Sequence, residues 1–138
     1  MRKDQSKIVV FGNRLSGLLE RWRMLNDLGF FNVILRNSLE ELVEQLEAGE
    51  TFDVLLFDGF DGCLDSESLR CLAWYNAVES IIISTDVNSQ QCREILEWWY
   101  KRSVSSLRVL QLPVRMEDLR KVMTLPTDQA VSERCYHL

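Results

Sequence analysis

Histidine is nearly missing from this chain of 138 residues: the single copy is His137, next to the last residue. Acid–base catalysis near neutral pH therefore lacks its usual agent, and no serine stands in a nucleophile-elbow sequence. An independent enzyme is not expected. The four cysteines, Cys63, Cys71, Cys92 and Cys135, form no C-x-x-C pair, which removes the common zinc sites. They read as small core hydrophobes, with Cys135 alone placed to react freely. None of the six glycines forms a G-x-G-x-x-G or a Gly-Lys-Ser loop, so nucleotide binding has no motif behind it. Apolar runs are also short, and none approaches the roughly 18 residues that cross a bilayer. Residues 1–6 read as a polar lead and not as a secretory leader, so a cytoplasmic protein without a membrane contact is expected. Basic excess is absent as well: 16 Lys and Arg stand against 21 Asp and Glu, a net charge of -5. That balance argues against nucleic acid as a partner.

What the chain does have is an alternation along its length between short apolar runs and longer stretches with apolar residues three and four apart. Residues 8–11, 31–35, 52–57, 81–83 and 107–112 read as strands, the continuous runs among them suited to a parallel sheet covered on both faces. Between them, Leu15, Leu18, Leu19, Trp22 and Leu25 repeat at helical spacing and stop near Gly29. Ser38 to Glu41 is a capping-box sequence, and Leu39, Leu42, Val43 and Leu46 follow it to Gly49. Leu69, Leu72 and Ala73 mark a third helix. A fourth has Asn88 or Ser89 as its cap and Cys92, Ile95, Leu96 and Trp99 inward, and Leu119, Val122 and Met123 mark a fifth. Five βα units make one α/β domain, a three-layer doubly wound sandwich.

Ligands of such sheets gather at the carboxyl ends of the strands, where loops and helix amino termini converge. Those ends carry Gly12, Asn13 and Arg14 after the first strand and Asp58, Gly59 and Phe60 after the third. Ser84, Thr85 and Asp86 follow the fourth, and Leu112 and Pro113 the fifth.

With Asp58, Thr85 and Pro113 at these positions, the chain resembles the receiver domain of two-component response regulators over residues 7–123, leaving 124–138 as a tail expected to be partly disordered. The resemblance implies a flavodoxin-like fold with a five-stranded parallel sheet in the order 2-1-3-4-5. It also implies a phosphoacceptor at Asp58 and a hydroxyl at Thr85 that follows the phosphoryl group, with Ser84 one residue out of register as the fallback. The family's lysine before Pro113 is replaced by Leu112, and its acidic pair after the first strand by Gly12 and Asn13. Aspartyl phosphorylation needs a hard cation held by carboxylates to screen two anions from each other. Here only Asn13, Asp58 and Phe60 remain as weak candidates for Mg²⁺, with Arg14 or Asp61 as local substitutes. The expectation is a degenerate receiver without a cofactor that signals through protein contacts. A working phosphoacceptor that uses Mg²⁺ and a small-ligand sensor in the space vacated at Gly12 are the alternatives.

Candidate contact residues are aromatic. Trp98 and Tyr100 flank the inward stripe of the fourth helix, so at least one is expected at the surface, with Arg102 beside them. Trp74 falls on the outer side of its helix. The resemblance implies a protein partner or effector domain, or a homodimer, on the face made by the fourth and fifth helices. Between Asn37 and Leu69 there are ten acidic residues and no Lys or Arg, a solvated acidic face or a patch for a basic partner.

Overall fold

Residues 5–61, 65–86, 90, 93–94, 96–98 and 106–124 are described by the computed structural model. Strands β1 (Ile8–Phe11), β2 (Val33–Arg36), β3 (Phe52–Phe57), β4 (Val78–Thr85) and β5 (Ser106–Gln111) form a single parallel sheet in the order β2-β1-β3-β4-β5. The register sets Phe11 beside Phe57, and Phe57 beside Ile83, so the ends of the three central strands lie level. β1 is buried at every position because apolar side chains occupy both of its faces.

Alternate residues of these strands feed two cores. Val9, Phe11, Leu55, Phe57, Ile81 and Ile83 pack with Leu42 and Leu46 of α2 (Leu39–Glu47) and with Leu69 and Leu72 of α3 (Ser66–Trp74). Ile8, Val10, Val54, Leu56 and Ile82 pack with Leu18, Met24 and Leu25 of α1 (Leu15–Asp27) and with Leu119, Val122 and Met123 of the closing helix, Met116–Thr124. Ser38 caps α2 by accepting the Glu41 backbone N–H, as the capping box predicts. Gly29 and Gly49, past the ends of α1 and α2, have φ of 97° and 96°, the left-handed conformation that closes a helix and favours glycine. No helix among the described residues is long and apolar enough to cross a membrane.

Four expectations are corrected. The apolar residues of α1 divide: Leu18 and Leu25 face the core, whereas Leu15, Leu19 and Trp22 lie exposed on another arc of the helix. β2 begins at Val33 and not at residue 31, because the Phe30 N–H still donates to the Leu25 carbonyl and ties the chain to α1. β4 extends to both sides of the predicted 81–83. Its buried Ser80 is tolerated because its hydroxyl bonds that of Ser106 across the β4–β5 pair. β5 ends at Gln111, so Leu112 is partly exposed in a cis peptide with Pro113. Trp99, Tyr100, Arg102, Cys63, Cys92, Ile95, Cys135 and His137, the cap residues Asn88 and Ser89, and the predicted tail beyond Thr124 lie outside the described residues.

Candidate functional site

Asp58 follows β3 directly, and its backbone N–H donates to the Phe11 carbonyl at 2.8 Å, which anchors the turn against β1. Gly59, at φ 67°, then bends the chain so that its N–H meets the Ser84 hydroxyl at 2.8 Å. The same hydroxyl donates to Asp58 Oδ1 at 3.2 Å. Ser84 thus supplies the hydroxyl at the aspartate in place of Thr85. Neighbouring residues on a strand point to opposite faces, so one position of register decides which hydroxyl arrives. Thr85 is buried at the strand end, and its carbonyl accepts the Leu112 N–H.

The decisive contact comes from α1. Arg21 Nε donates to Asp58 Oδ1 at 2.8 Å, and both side chains are 13% accessible. Arg21 lies three residues after Leu18 and four before Leu25, on the arc those leucines bury. A cation at that spacing, on a helix that follows the first strand, is the signal in the sequence that marks Arg21 as turned inward, though it does not name the partner. A charge-assisted hydrogen bond of this kind contributes roughly 1.5–3 kcal/mol.

Gly17 completes the arrangement. A Cβ at this position would stand 2.4 Å from Asp58 Oδ2, so only a glycine lets the carboxylate lie this close to α1. At Gly12 a Cβ would meet the Asp58 carbonyl oxygen at 3.2 Å and the Leu18 side chain at 3.4 Å. Packing is thus close on the side that a side chain at position 12 would take. Phe60 is buried, its ring edge-on to Phe57, and its N–H donates to the Ser84 carbonyl.

The other predicted charges do not converge on Asp58. Arg14 is the exposed residue preceding α1. Asp61 is exposed and its N–H donates to the Asp65 carboxylate. Burial raises the pKa of Asp65 above the usual carboxylate value, with the charge of Asp61 adding to the rise and the Asp61 N–H opposing it. Asn13 is exposed and Leu112 is apolar. Mg²⁺ asks for several hard oxygen donors. Among the described residues no group of three His, Cys, Asp or Glu side chains could hold a metal ion, and the carboxylate at the strand end is held by a guanidinium. The residues present do not fit Mg²⁺.

The predicted contact residues separate. Trp74 is 83% exposed on α3. Trp98, one of the two flanking aromatics, is half-buried: it packs against the α2–α3 core, and the Arg70 guanidinium lies 5.1 Å from its ring centroid, while Tyr100 lies outside the described residues.

No family model matches the sequence, and no curated protein matches it. Solved structures do. A pilus assembly-related protein from Burkholderia pseudomallei superposes with a TM-score of 0.70 at 19% identity, covering 98% of this chain and 95% of that one. The signal receiver domain of a modulated diguanylate cyclase from Desulfovibrio desulfuricans gives 0.64 at 20% identity, covering 98% and 100%. A response regulator receiver protein from Sinorhizobium medicae gives 0.57 at 18% identity, covering 94% and 98%. The chain accordingly has the fold of response-regulator receiver domains, with a five-stranded parallel sheet in the order β2-β1-β3-β4-β5 that agrees with it.

Proposed function

We propose that this chain is an atypical receiver-like signalling module, built on residues 7–123, which acts through protein contacts with little or no Mg²⁺-dependent phosphorylation of Asp58. The observation that carries this reading is the Arg21–Asp58 pair. A phosphodonor must approach a carboxylate whose Oδ1 is shared by a guanidinium and a hydroxyl and whose Oδ2 lies over the helix backbone at Gly17. In-line attack needs a metal to carry the developing charge, and among the described residues no group of three metal-ligating side chains stands ready to hold one.

An output by contact is supported by exposed Trp74, beside an α2 that presents Glu40, Glu41, Glu44 and Glu47 to solvent. It is also supported by the kinds of protein that share the fold, a pilus assembly-related protein and a diguanylate cyclase receiver among them.

The test is to incubate the protein with Mg²⁺ and acetyl phosphate or phosphoramidate and to weigh it intact. An unchanged mass is expected. A stoichiometric gain of one phosphoryl group that disappears in Asp58→Ala would overturn the proposal in favour of a working phosphoacceptor.

A further inference from the structure

Asp58 is followed by a glycine, and an aspartyl–glycyl pair is where a polypeptide rearranges most readily, because no Cβ shields the following nitrogen. The reaction is an internal condensation. The Gly59 nitrogen gives up its proton and attacks Asp58 Cγ, one carboxyl oxygen leaves as water, and a five-membered succinimide closes. Water then opens the ring at either carbonyl. One opening returns aspartate, and the other yields isoaspartate, in which the main chain runs through the side-chain carboxyl. Nothing is oxidised or reduced, and water is the only co-reactant. At position 58 the product would add a methylene to the backbone at the end of β3 and move the carboxylate away from Arg21.

The fold restrains both reacting atoms, and it does so from two different elements. On the β4 side, the Gly59 N–H donates to the Ser84 hydroxyl at 2.8 Å, and that hydroxyl donates in turn to Asp58 Oδ1 at 3.2 Å. On the α1 side, Arg21 Nε holds Oδ1 at 2.8 Å, and Oδ2 lies over the backbone at Gly17. The residues at either end of the turn are fixed as well, since the Asp58 N–H donates to the Phe11 carbonyl and the Phe60 N–H to the Ser84 carbonyl, each at 2.8 Å. Ring closure must swing the carboxyl group over the Gly59 nitrogen and free that nitrogen's proton. The segment therefore has to open locally, with the bonds to Arg21 and Ser84 released, before it can react.

We propose that the Asp58–Gly59 peptide is a latent isomerisation site that Ser84 and Arg21 hold closed. This rests on the contacts of Asp58 and is independent of whether the carboxylate is ever phosphorylated.

Prolonged incubation in warm neutral buffer tests it. Isoaspartate is counted by enzymatic methylation and located by electron-transfer fragmentation of the peptide, because the chain has a second Asp–Gly pair at 61–62. The folded wild type is expected to accumulate isoaspartate at position 58 far more slowly than the same protein unfolded in guanidinium chloride. Ser84→Ala and Arg21→Ala are each expected to raise the rate in the folded protein by about fivefold, the effect of losing one hydrogen bond that resists opening. Ser80→Ala is the matched control: it removes a buried hydroxyl from the same strand, one bonded to Ser106 and not to the turn, and it is expected to leave the rate at position 58 unchanged. Thermal unfolding places the variants on a common scale of stability. A folded wild type that isomerises as fast as the unfolded chain, or a Ser84→Ala protein that reacts no faster than Ser80→Ala, would overturn the proposal.

Discussion

A carboxylate at the end of a buried strand needs a counter-charge, and at Asp58 the counter-charge is Arg21. Removing it leaves a largely covered anion, so Arg21→Ala is expected to destabilise the fold by about 1.5–3 kcal/mol. In an Asp58→Ala background the same substitution is expected to cost less than about 1 kcal/mol, since the group left stranded is gone. Urea unfolding of the four proteins in this cycle measures the difference, and equal costs in both backgrounds would show that the pair is not coupled. Gly17 offers a sharper test because two effects of opposite sign meet there. Alanine is the better helix former by roughly 0.5–1 kcal/mol. Its methyl group, however, would stand 2.4 Å from Asp58 Oδ2. Gly17→Ala is therefore expected to destabilise the wild type by displacing the carboxylate from Arg21, and to stabilise an Asp58→Ala protein by its propensity alone. A stability change of the same sign in both backgrounds would refute the close approach of Asp58 to α1.

At the scale of elements, α2 and α3 are tied near their carboxyl ends by the Tyr75 hydroxyl, which donates to Glu47 Oε1 at 2.8 Å. This bond exists only while the phenol keeps its proton, so it raises the tyrosine pKa above its ordinary value of about 10. With the folded value above the unfolded one, the contribution is fully present below the unfolded pKa and is lost as pH rises through the folded pKa. Tyr75→Phe is expected to lower the melting temperature near neutral pH, with the gap from wild type closing under strongly alkaline conditions; a constant gap would contradict the assignment. The elements themselves were legible where hydrophobicity alone decides them. β1 and β3 match the sequence reading at both ends: β1 is apolar and buried throughout, and in β3 the one polar residue, Asp53, stands near the start, where its carboxylate accepts the Lys7 N–H and four buried apolar residues follow it. The boundaries moved where a polar side chain inside a strand is satisfied by a partner on another element. Ser80 finds Ser106, and buried Arg108 in β5 gives its guanidinium to the Val122 carbonyl of the closing helix. Leu15, Leu19 and Trp22 misled for a different reason, since helical spacing states that residues share a face and not which face is covered.

For the whole molecule, the site is a property of four strand ends and one helix brought level by the sheet, which explains how much of it could be read in one dimension. Asp58, Gly12, Asn13 and Leu112 were readable because each lies within two residues of the end of a strand. The Arg21 contact was not, because it joins α1 to the end of β3, 37 residues away in sequence, and only the β2-β1-β3 order makes those elements neighbours. The same geometry bears on the proposal that Asp58 is not an efficient acceptor. If only the missing charges mattered, Gly12→Asp, Asn13→Asp and Leu112→Lys together would recreate a working site. The structure argues otherwise: a Cβ at position 12 already meets the Asp58 carbonyl oxygen at 3.2 Å, and Arg21 already occupies the carboxylate. The triple variant is therefore expected to gain little phosphoryl mass from acetyl phosphate and Mg²⁺, whereas adding Arg21→Ala is expected to produce a gain that depends on both Mg²⁺ and Asp58. Full labelling of the triple variant would show that the guanidinium is no barrier, and an inert quadruple variant would show that restoring charge and freeing the carboxylate are together insufficient. Intact mass measurement of both proteins, each with its Asp58→Ala control, separates the two grounds on which the proposed lack of phosphorylation can rest, the absence of metal ligands and the presence of a guanidinium on the carboxylate.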